Sequence, residues 1–310
     1  MEHTRRQFLK QSTMVVASGA LCRGFAGATA SPTVKFPTDT RERIAIASYP
    51  FRDFIVGGEK KPVSPAIHLK DFAAHVNEKF GVRKIEPWTG HFGSTDSKYL
   101  EQFREALEKS KGFVANMAVD GEDSPYAVDA SERARAVAFS KKWIDVAAFL
   151  GAPGIRTNLP SAKDSEPNLD RAADSLQRVL EYASAKNVVI NLENDNPVSE
   201  DPFFLVKLVE KVGNSWLHTL PDFANSLAHR DAEYAYKGFG EMCPHAYSIC
   251  HVKAMELNDA GKPVEVDMAR AFGLLKQGGF KGYCSMEFDS PGDPYAGTRA
   301  LIEKTEQLLR

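Results

Sequence analysis

The sequence predicts a single-domain α/β protein, a (β/α)8 TIM barrel over residues 42–310. Short apolar or β-branched runs alternate with amphipathic stretches through this whole region, which is typical of a parallel sheet. Eight such repeats in a chain of this length match a closed barrel better than an open sheet. No Gly-x-Gly-x-x-Gly follows the first run, where a dinucleotide-binding fold would place its phosphate turn.

Each predicted strand is a short run that stops at polar residues. In chain order the strands cover residues 43–48, 82–86, 113–118, 153–157, 187–193, 216–222, 247–253 and 282–288. Eight amphipathic helices are predicted to alternate with them. Apolar residues recur there at helical spacing, for example at Leu69, Phe72, Val76 and Phe80.

Composition narrows the possible functions. The chain has 310 residues, of which 43% are hydrophobic, and its 39 basic and 41 acidic residues give a net charge of −2. No basic stripe is present, so a nucleic-acid partner is not expected. The four cysteines are irregularly spaced and do not form a recognisable disulfide framework.

The N-terminus is predicted to be an export signal. Arg5-Arg6 is followed by an aromatic residue, leucine and lysine, which resembles the twin-arginine signal. The apolar stretch over residues 14–21 is too short to span a membrane, and Arg23 follows it. An Ala-x-Ala cleavage pattern ends at Ala30.

These features predict that residues 1–30 are a cleaved signal peptide and that residues 31–41 link it to the barrel of residues 42–310. The mature protein is then expected in the periplasm, or otherwise outside the cytoplasm, of a bacterium. The twin-arginine export machinery is an expected partner, and no stable membrane insertion is expected. The oligomeric state stays open, and a homo-oligomer is compatible with the sequence.

Polar residues at the ends of the last four strands form the predicted functional site. Glu193, Asp222, His251 and Glu287 each end one strand and are each separated by about one repeat. Because the carboxyl ends of barrel strands meet at one face, these side chains are expected to converge. Three clustered carboxylates repel one another unless a cation lies between them. Oxygen and imidazole ligands suit one divalent ion, Mn²⁺, Mg²⁺, Co²⁺ or Zn²⁺.

Four short segments carry a resemblance to a known family. They are Leu192-Glu193-Asn194, Asp222-Phe223-Ala224-Asn225, His251-Val252-Lys253 and Ser285-Met286-Glu287-Phe288. Together they resemble the sugar phosphate isomerase/epimerase family, the xylose isomerase-like TIM barrels. The resemblance is specific over residues 185–310 and mainly organisational over residues 42–184.

This resemblance implies a metal-dependent isomerase or epimerase acting on a sugar or sugar derivative. Glu193 and Glu287 would bind the metal and also move the proton, one removing it and the other returning it, through a metal-bound enediolate. Lys253 is a candidate to neutralise the developing oxyanion, although a solvated strand-end lysine is an equal alternative.

Further residues near strand ends are candidate substrate contacts. They are Glu86, Trp88, His91, Arg156 and Asn225. Trp88 is expected either to stack on a sugar face or to pack against a neighbouring loop. Each of these residues lies where the loops of such barrels build the substrate pocket.

Three departures from the ketohexose 3-epimerases qualify the predicted substrate. Asn225, Ser199 and Leu257 stand where those enzymes often carry His, Glu and Arg. A lyase or hydratase of 3-keto-glycosides, using the same metal site, is therefore the alternative function. A non-catalytic sugar-binding protein is a third alternative. A barrel endonuclease is not expected, because it needs additional histidines for a trinuclear metal cluster.

Overall fold

The computed structural model describes residues 31–56 and 62–310, so the predicted signal peptide lies outside the described residues. Within them the chain forms the predicted (β/α)8 barrel. The barrel strands are β1 Ile44–Ala47, β2 Lys84–Glu86, β3 Phe113–Val114 with Met117–Val119, β4 Gly154–Thr157, β5 Val189–Glu193, β6 Leu217–Leu220, β7 Ile249–Val252 and β8 Tyr283–Met286. The helices are α1 Phe72–Phe80, α2 Ser97–Ser110, α3 Ala130–Leu150, α4 Leu169–Ala185, α5 Pro202–Val212, α6 Asn225–His229, α7 Ala232–Met242, α8 Met268–Gln277 and α9 Pro294–Leu309.

All neighbouring barrel strands pair in parallel. One run of pairings joins β7, β8, β1, β2 and the first segment of β3, and a second joins the other segment of β3 to β4, β5 and β6. Isolated parallel bridges close the barrel, between Trp88 and Ala118 at one seam and between Asp222 and His251 at the other. Closure of the second seam therefore places two predicted metal ligands side by side.

The burial pattern explains why these segments adopt their structures. The residues of β1, β4, β5, β7 and β8 are buried throughout, as expected for parallel strands covered by helices. The predicted apolar stripe of Leu69, Phe72, Val76 and Phe80 is buried against the barrel. The described residues contain nine α-helices where eight were predicted. The additional one is the short α6, which lies between β6 and α7.

The predicted linker lies against the end of the barrel opposite to the predicted site. The Phe36 ring packs edge-on against Tyr247 and Tyr283, with centroid distances of 5.3 and 5.6 Å. The Tyr247 hydroxyl also donates a hydrogen bond to the carbonyl of Pro32 at 3.2 Å. Among the described residues, no helix is long and apolar enough to cross a membrane.

Candidate metal centre

The four predicted metal ligands meet at the carboxyl end of the barrel. Ligand atoms of Glu193, Asp222, His251 and Glu287 all lie within 4.8 Å of one another, and all four side chains are buried. Nδ1 of His251 is 2.7 Å from Oε1 of Glu193 and 3.1 Å from Oε2 of Glu287. This group of carboxylates and imidazole has the composition of a divalent-metal site.

Among the described residues, the two carboxylate oxygens of Asp222 differ in their partners. Its Oδ1 accepts the backbone N–H groups of Ala224 at 2.8 Å and Asn225 at 2.7 Å. Its Oδ2 is buried without a hydrogen-bond partner. Burial raises the pKa of this carboxyl group to about 7. A cation bound at Oδ2 would compensate for the lost hydration, so the residues present fit a bound metal.

Positive groups keep the two glutamates ionised. Burial acts to raise the pKa of Glu193, but Arg156 and His251 outweigh it and lower that pKa. Burial acts in the same direction on Glu287, whose pKa is held well below its usual range by His251 and Lys253. Burial also acts to lower the pKa of His251, but the surrounding carboxylates raise it well above its usual value. A metal ion on Nδ1 would take the place of that proton.

The structure places Glu86 against the His251 ring, where the Glu86 side chain is buried. Its two carboxylate oxygens lie 3.1 and 3.0 Å from Nε2 of His251. Nδ2 of Asn116 donates to the same carboxylate at 2.7 Å. A proton on Nε2 shared with Glu86 leaves Nδ1 free to bind a metal. The geometry thus makes Glu86 an orienting residue, whereas the sequence predicted a substrate contact.

A cavity of about 410 Å³ opens over the four predicted metal ligands. The catalytic candidates Glu193 and Glu287 line it. Five further residues predicted from the sequence also line it: Trp88, His91, Arg156, Asn225 and Lys253. The strand-end position of these residues was therefore sufficient to predict their convergence.

Lys253 is buried within the site and is not the solvated lysine that the sequence left as an alternative. Its Nζ donates to Oδ1 of Asn225 at 2.8 Å and to Oε2 of Glu256 at 3.2 Å. It also lies 3.5 Å from Oε2 of Glu287. Nδ2 of Asn225 donates to Oε1 of Glu193 at 3.3 Å. Lys253 and Asn225 therefore connect the two catalytic candidates.

Sequence reasoning missed Asp120, which follows β3. Its Oδ2 accepts a hydrogen bond from Nε1 of Trp88 at 2.5 Å, and its Oδ1 contacts the guanidinium of Arg156. Nε of Arg156 is 2.6 Å from Oε2 of Glu193. Through Arg156, Asp120 thus links the Trp88 wall of the cavity to Glu193, a predicted metal ligand. The predicted third strand ended at Ala118, and reading one residue beyond its true end would have found this carboxylate.

Trp88 is held by packing as well as by Asp120. Its ring covers Gly90, where an added Cβ would approach ring carbon atoms to 2.4 Å, so a larger residue would displace the ring. The ring also packs edge-on against Tyr49, at a centroid distance of 5.4 Å. Trp88 therefore forms a fixed wall of the cavity, and it packs against its neighbours at the same time.

The fold is a TIM barrel, and its four predicted metal ligands form one buried group. The family model described as "Xylose isomerase-like TIM barrel" matches residues 74–308, and the chain belongs to this family. None of the curated proteins compared with the chain matches it significantly.

Solved structures of similar fold include sugar epimerases. D-allulose 3-epimerase from Methylomonas sp. shares 15% identity with a TM-score of 0.68, covering 89% of this chain and 100% of that chain. A xylose isomerase-like TIM barrel protein from Mycobacterium smegmatis, solved with magnesium, shares 16% identity with a TM-score of 0.64, covering 86% and 97%. The 3-keto-D-glucoside 4-epimerase from E. coli shares 14% identity with a TM-score of 0.61, covering 86% and 99%. At such identities the likeness shows the shared fold.

Proposed function

We propose that this protein is an isomerase or epimerase of a sugar or sugar derivative, working with one divalent metal ion. The ion would be held by Glu193, Asp222, His251 and Glu287. The observation that carries the proposal is the placement of Glu193 and Glu287, which both line the cavity and both contact Nδ1 of His251. The sugar epimerases among proteins of the same fold support it.

In this proposal the two glutamates move the proton. One carboxylate removes a proton from the carbon next to the substrate carbonyl, and the other returns a proton to that carbon or its neighbour. Ionised carboxylates are required for proton removal, and Arg156 and Lys253 favour that state. A divalent ion in this site would polarise the carbonyl and an adjacent hydroxyl oxygen. The Lys253 ammonium, fixed by Asn225, adds positive charge where negative charge develops on the substrate.

The cavity favours an uncharged carbohydrate over a sugar phosphate. Besides the metal ligands its wall carries the carboxylates of Asp120, Asp195, Glu256 and Asp289. A phosphate dianion would meet like charge there, and the local cations already contact acids: Lys253 pairs with Glu256 and Arg156 with Asp120. The predicted export signal supports action outside the cytoplasm as part of this proposal.

Proton NMR in D2O tests the reaction. The metal-loaded protein is expected to incorporate solvent deuterium into a ketose or 3-keto-glycoside, with the isomeric sugar as product. Glu193→Gln and Glu287→Gln should each lower turnover by about 10²-fold or more, because an amide accepts no proton. The variant lacking the first base should lose deuterium exchange altogether, while the other variant keeps exchange without forming product.

Glu181→Gln on the exposed face of α4 is the matched control and should retain full activity. Full turnover in either active-site variant would refute the two-carboxylate mechanism. Release of a leaving group from a 3-keto-glycoside would instead identify the lyase reaction. Binding of sugar with neither exchange nor cleavage would indicate a non-catalytic sugar-binding protein.

A further inference from the structure

His91 lines the proposed substrate cavity and carries a buried polar atom without a hydrogen-bond partner in the described part of the chain. The side chain is fully buried, with 0% of its surface exposed, and it lines the cavity over the metal group. Among the described residues its Nε2 has no hydrogen-bond or ion-pair partner. Buried polar atoms in folded proteins almost always have a partner, so an unpaired one on a residue that lines a cavity points to a bound ligand.

The proton positions on His91 follow from its contact with Ser48. The Ser48 Oγ accepts the backbone N–H of Trp88 at 2.8 Å and lies 3.0 Å from Nδ1 of His91. Within the described residues Nδ1 is the acceptor that the Ser48 hydroxyl proton can reach. If Nδ1 carried the proton instead, the buried hydroxyl proton would have no acceptor. Ser48 therefore donates to Nδ1, and the proton of the neutral ring lies on Nε2.

The surroundings keep this imidazole neutral. Burial, with a smaller effect of the Arg52 guanidinium, lowers the pKa of His91 to about 4. The Trp88 ring packs edge-on against it at a centroid distance of 4.8 Å and fixes its orientation. A neutral N–H in a fixed orientation selects an oxygen acceptor.

We propose that His91 is a specificity-determining residue, whose Nε2–H donates a hydrogen bond to a hydroxyl or carbonyl oxygen of the carbohydrate in this cavity. This inference rests on the proposed sugar substrate and adds a particular contact to it. It requires an acceptor oxygen where the sugar meets the wall formed by Trp88 and His91. A deoxy sugar lacking that oxygen leaves Nε2–H unpaired and binds more weakly.

Nitrogen NMR of the full chain with ¹⁵N-labelled histidine tests the proton positions. The His91 signal is assigned by its loss in His91→Phe, and it should show a protonated Nε2 and an unprotonated Nδ1 at neutral pH. Ser48→Ala should weaken this preference. Adding D-allulose, L-ribulose or 3-keto-D-glucose to the metal-loaded protein should shift the Nε2 resonance for at least one sugar. Protonation on Nδ1, or no response of Nε2 to any of these sugars, would overturn the inference.

Binding of the responding sugar tests the contact itself. His91→Phe should raise its Kd roughly tenfold, and His91→Gln, whose amide can place a donor near the Nε2 position, should stay within about threefold of the original protein. His75→Phe is the matched control, because His75 bonds to Tyr295 outside the cavity. An equal loss in the Gln and Phe variants would indicate a packing role for the ring and overturn the inference.

The two proposals fail separately. Deuterium exchange into the sugar with an unchanged Kd in His91→Phe would overturn the role of His91 and leave the proposed reaction intact. His91-dependent binding without any deuterium exchange would support the role of His91 and count against the proposed proton transfer.

Discussion

Asp222→Asn should stabilise the metal-free protein at alkaline pH while removing its response to metal. In the metal-free protein the carboxyl group of Asp222 is buried, and burial raises its pKa from 3.8 to about 7. The folded state therefore holds the proton more tightly than the unfolded state. This contribution to stability is fully present below pH 3.8 and is lost as the pH rises towards 7.

The magnitude follows from the same two pKa values. Relative to low pH, the raised pKa of Asp222 lowers the unfolding free energy by about 4 kcal/mol at pH 8 and by about 2 kcal/mol at pH 5. Asparagine keeps the oxygen that accepts the N–H groups of Ala224 and Asn225. Its amide nitrogen replaces Oδ2, which accepts no hydrogen bond from the described residues and lies 3.8 Å from Nζ of Lys253. An amide N–H group left unpaired beside this ammonium costs about 1–3 kcal/mol at both pH values. The unfolding free energy of Asp222→Asn minus that of the original protein should therefore increase by about 2–3 kcal/mol between pH 5 and pH 8.

Urea unfolding of both proteins in EDTA, at pH 5 and at pH 8, measures this change. The corresponding difference in Tm is roughly 3–5 °C. Asp174→Asn, at an exposed position on α4, is the matched control and should show no such growth. With Mn²⁺ present at about a hundred times its Kd, the original protein should gain about 2.7 kcal/mol and Asp222→Asn much less. A pH-independent difference between the two proteins, or equal stabilisation of both by Mn²⁺, would refute the reasoning.

Three further predictions concern the metal, the substrate and export. Protein purified without chelator should contain about one divalent ion per chain by elemental analysis, because the described residues supply one four-residue ligand group; three ions, or none after Mn²⁺ addition, would contradict it. A neutral sugar should raise the Tm of the metal-loaded protein more than the matched sugar phosphate does, because acidic side chains line the cavity. A larger increase in Tm with the sugar phosphate would contradict the predicted preference for an uncharged substrate. Replacing Arg5 and Arg6 together by Lys should trap an unprocessed precursor in the cytoplasm, because the export machinery recognises the paired guanidinium groups. Cell fractionation locates the precursor, and normal export of the variant would contradict the twin-arginine assignment.

The barrel strands could be predicted closely because their pattern is local. Seven predicted strands contain the observed ones, and the third ends one residue before the observed end at Val119. Runs such as Ile44–Ala47 are buried throughout, so the apolar sequence directly reflects the covered sheet. The count of helices was less accurate. The helix α6, Asn225–His229, has only five residues, which is too short for a helical apolar pattern to show.

The residues of the site could be predicted from their positions along the strands. The contacts between their side chains could not. Glu193, Asp222, His251 and Glu287 converge because parallel strands bring their carboxyl ends to one face. Glu86 was placed at the right strand end, but its carboxylate lies against Nε2 of His251. A position on a strand gives a residue's height in the barrel without giving its neighbours across the barrel.

The sequence by itself determined the eight-stranded barrel, the four-residue ligand group and part of the cavity wall, because these depend on repeat spacing and on polar residues at strand ends. The tertiary structure alone decided which nitrogen of His251 faces Glu193 and Glu287, that Asp120 joins Trp88 to Arg156, and that Ser48 lies against Nδ1 of His91. These contacts join residues on different βα units. Their geometry is set by barrel closure and side-chain packing, which no local pattern encodes.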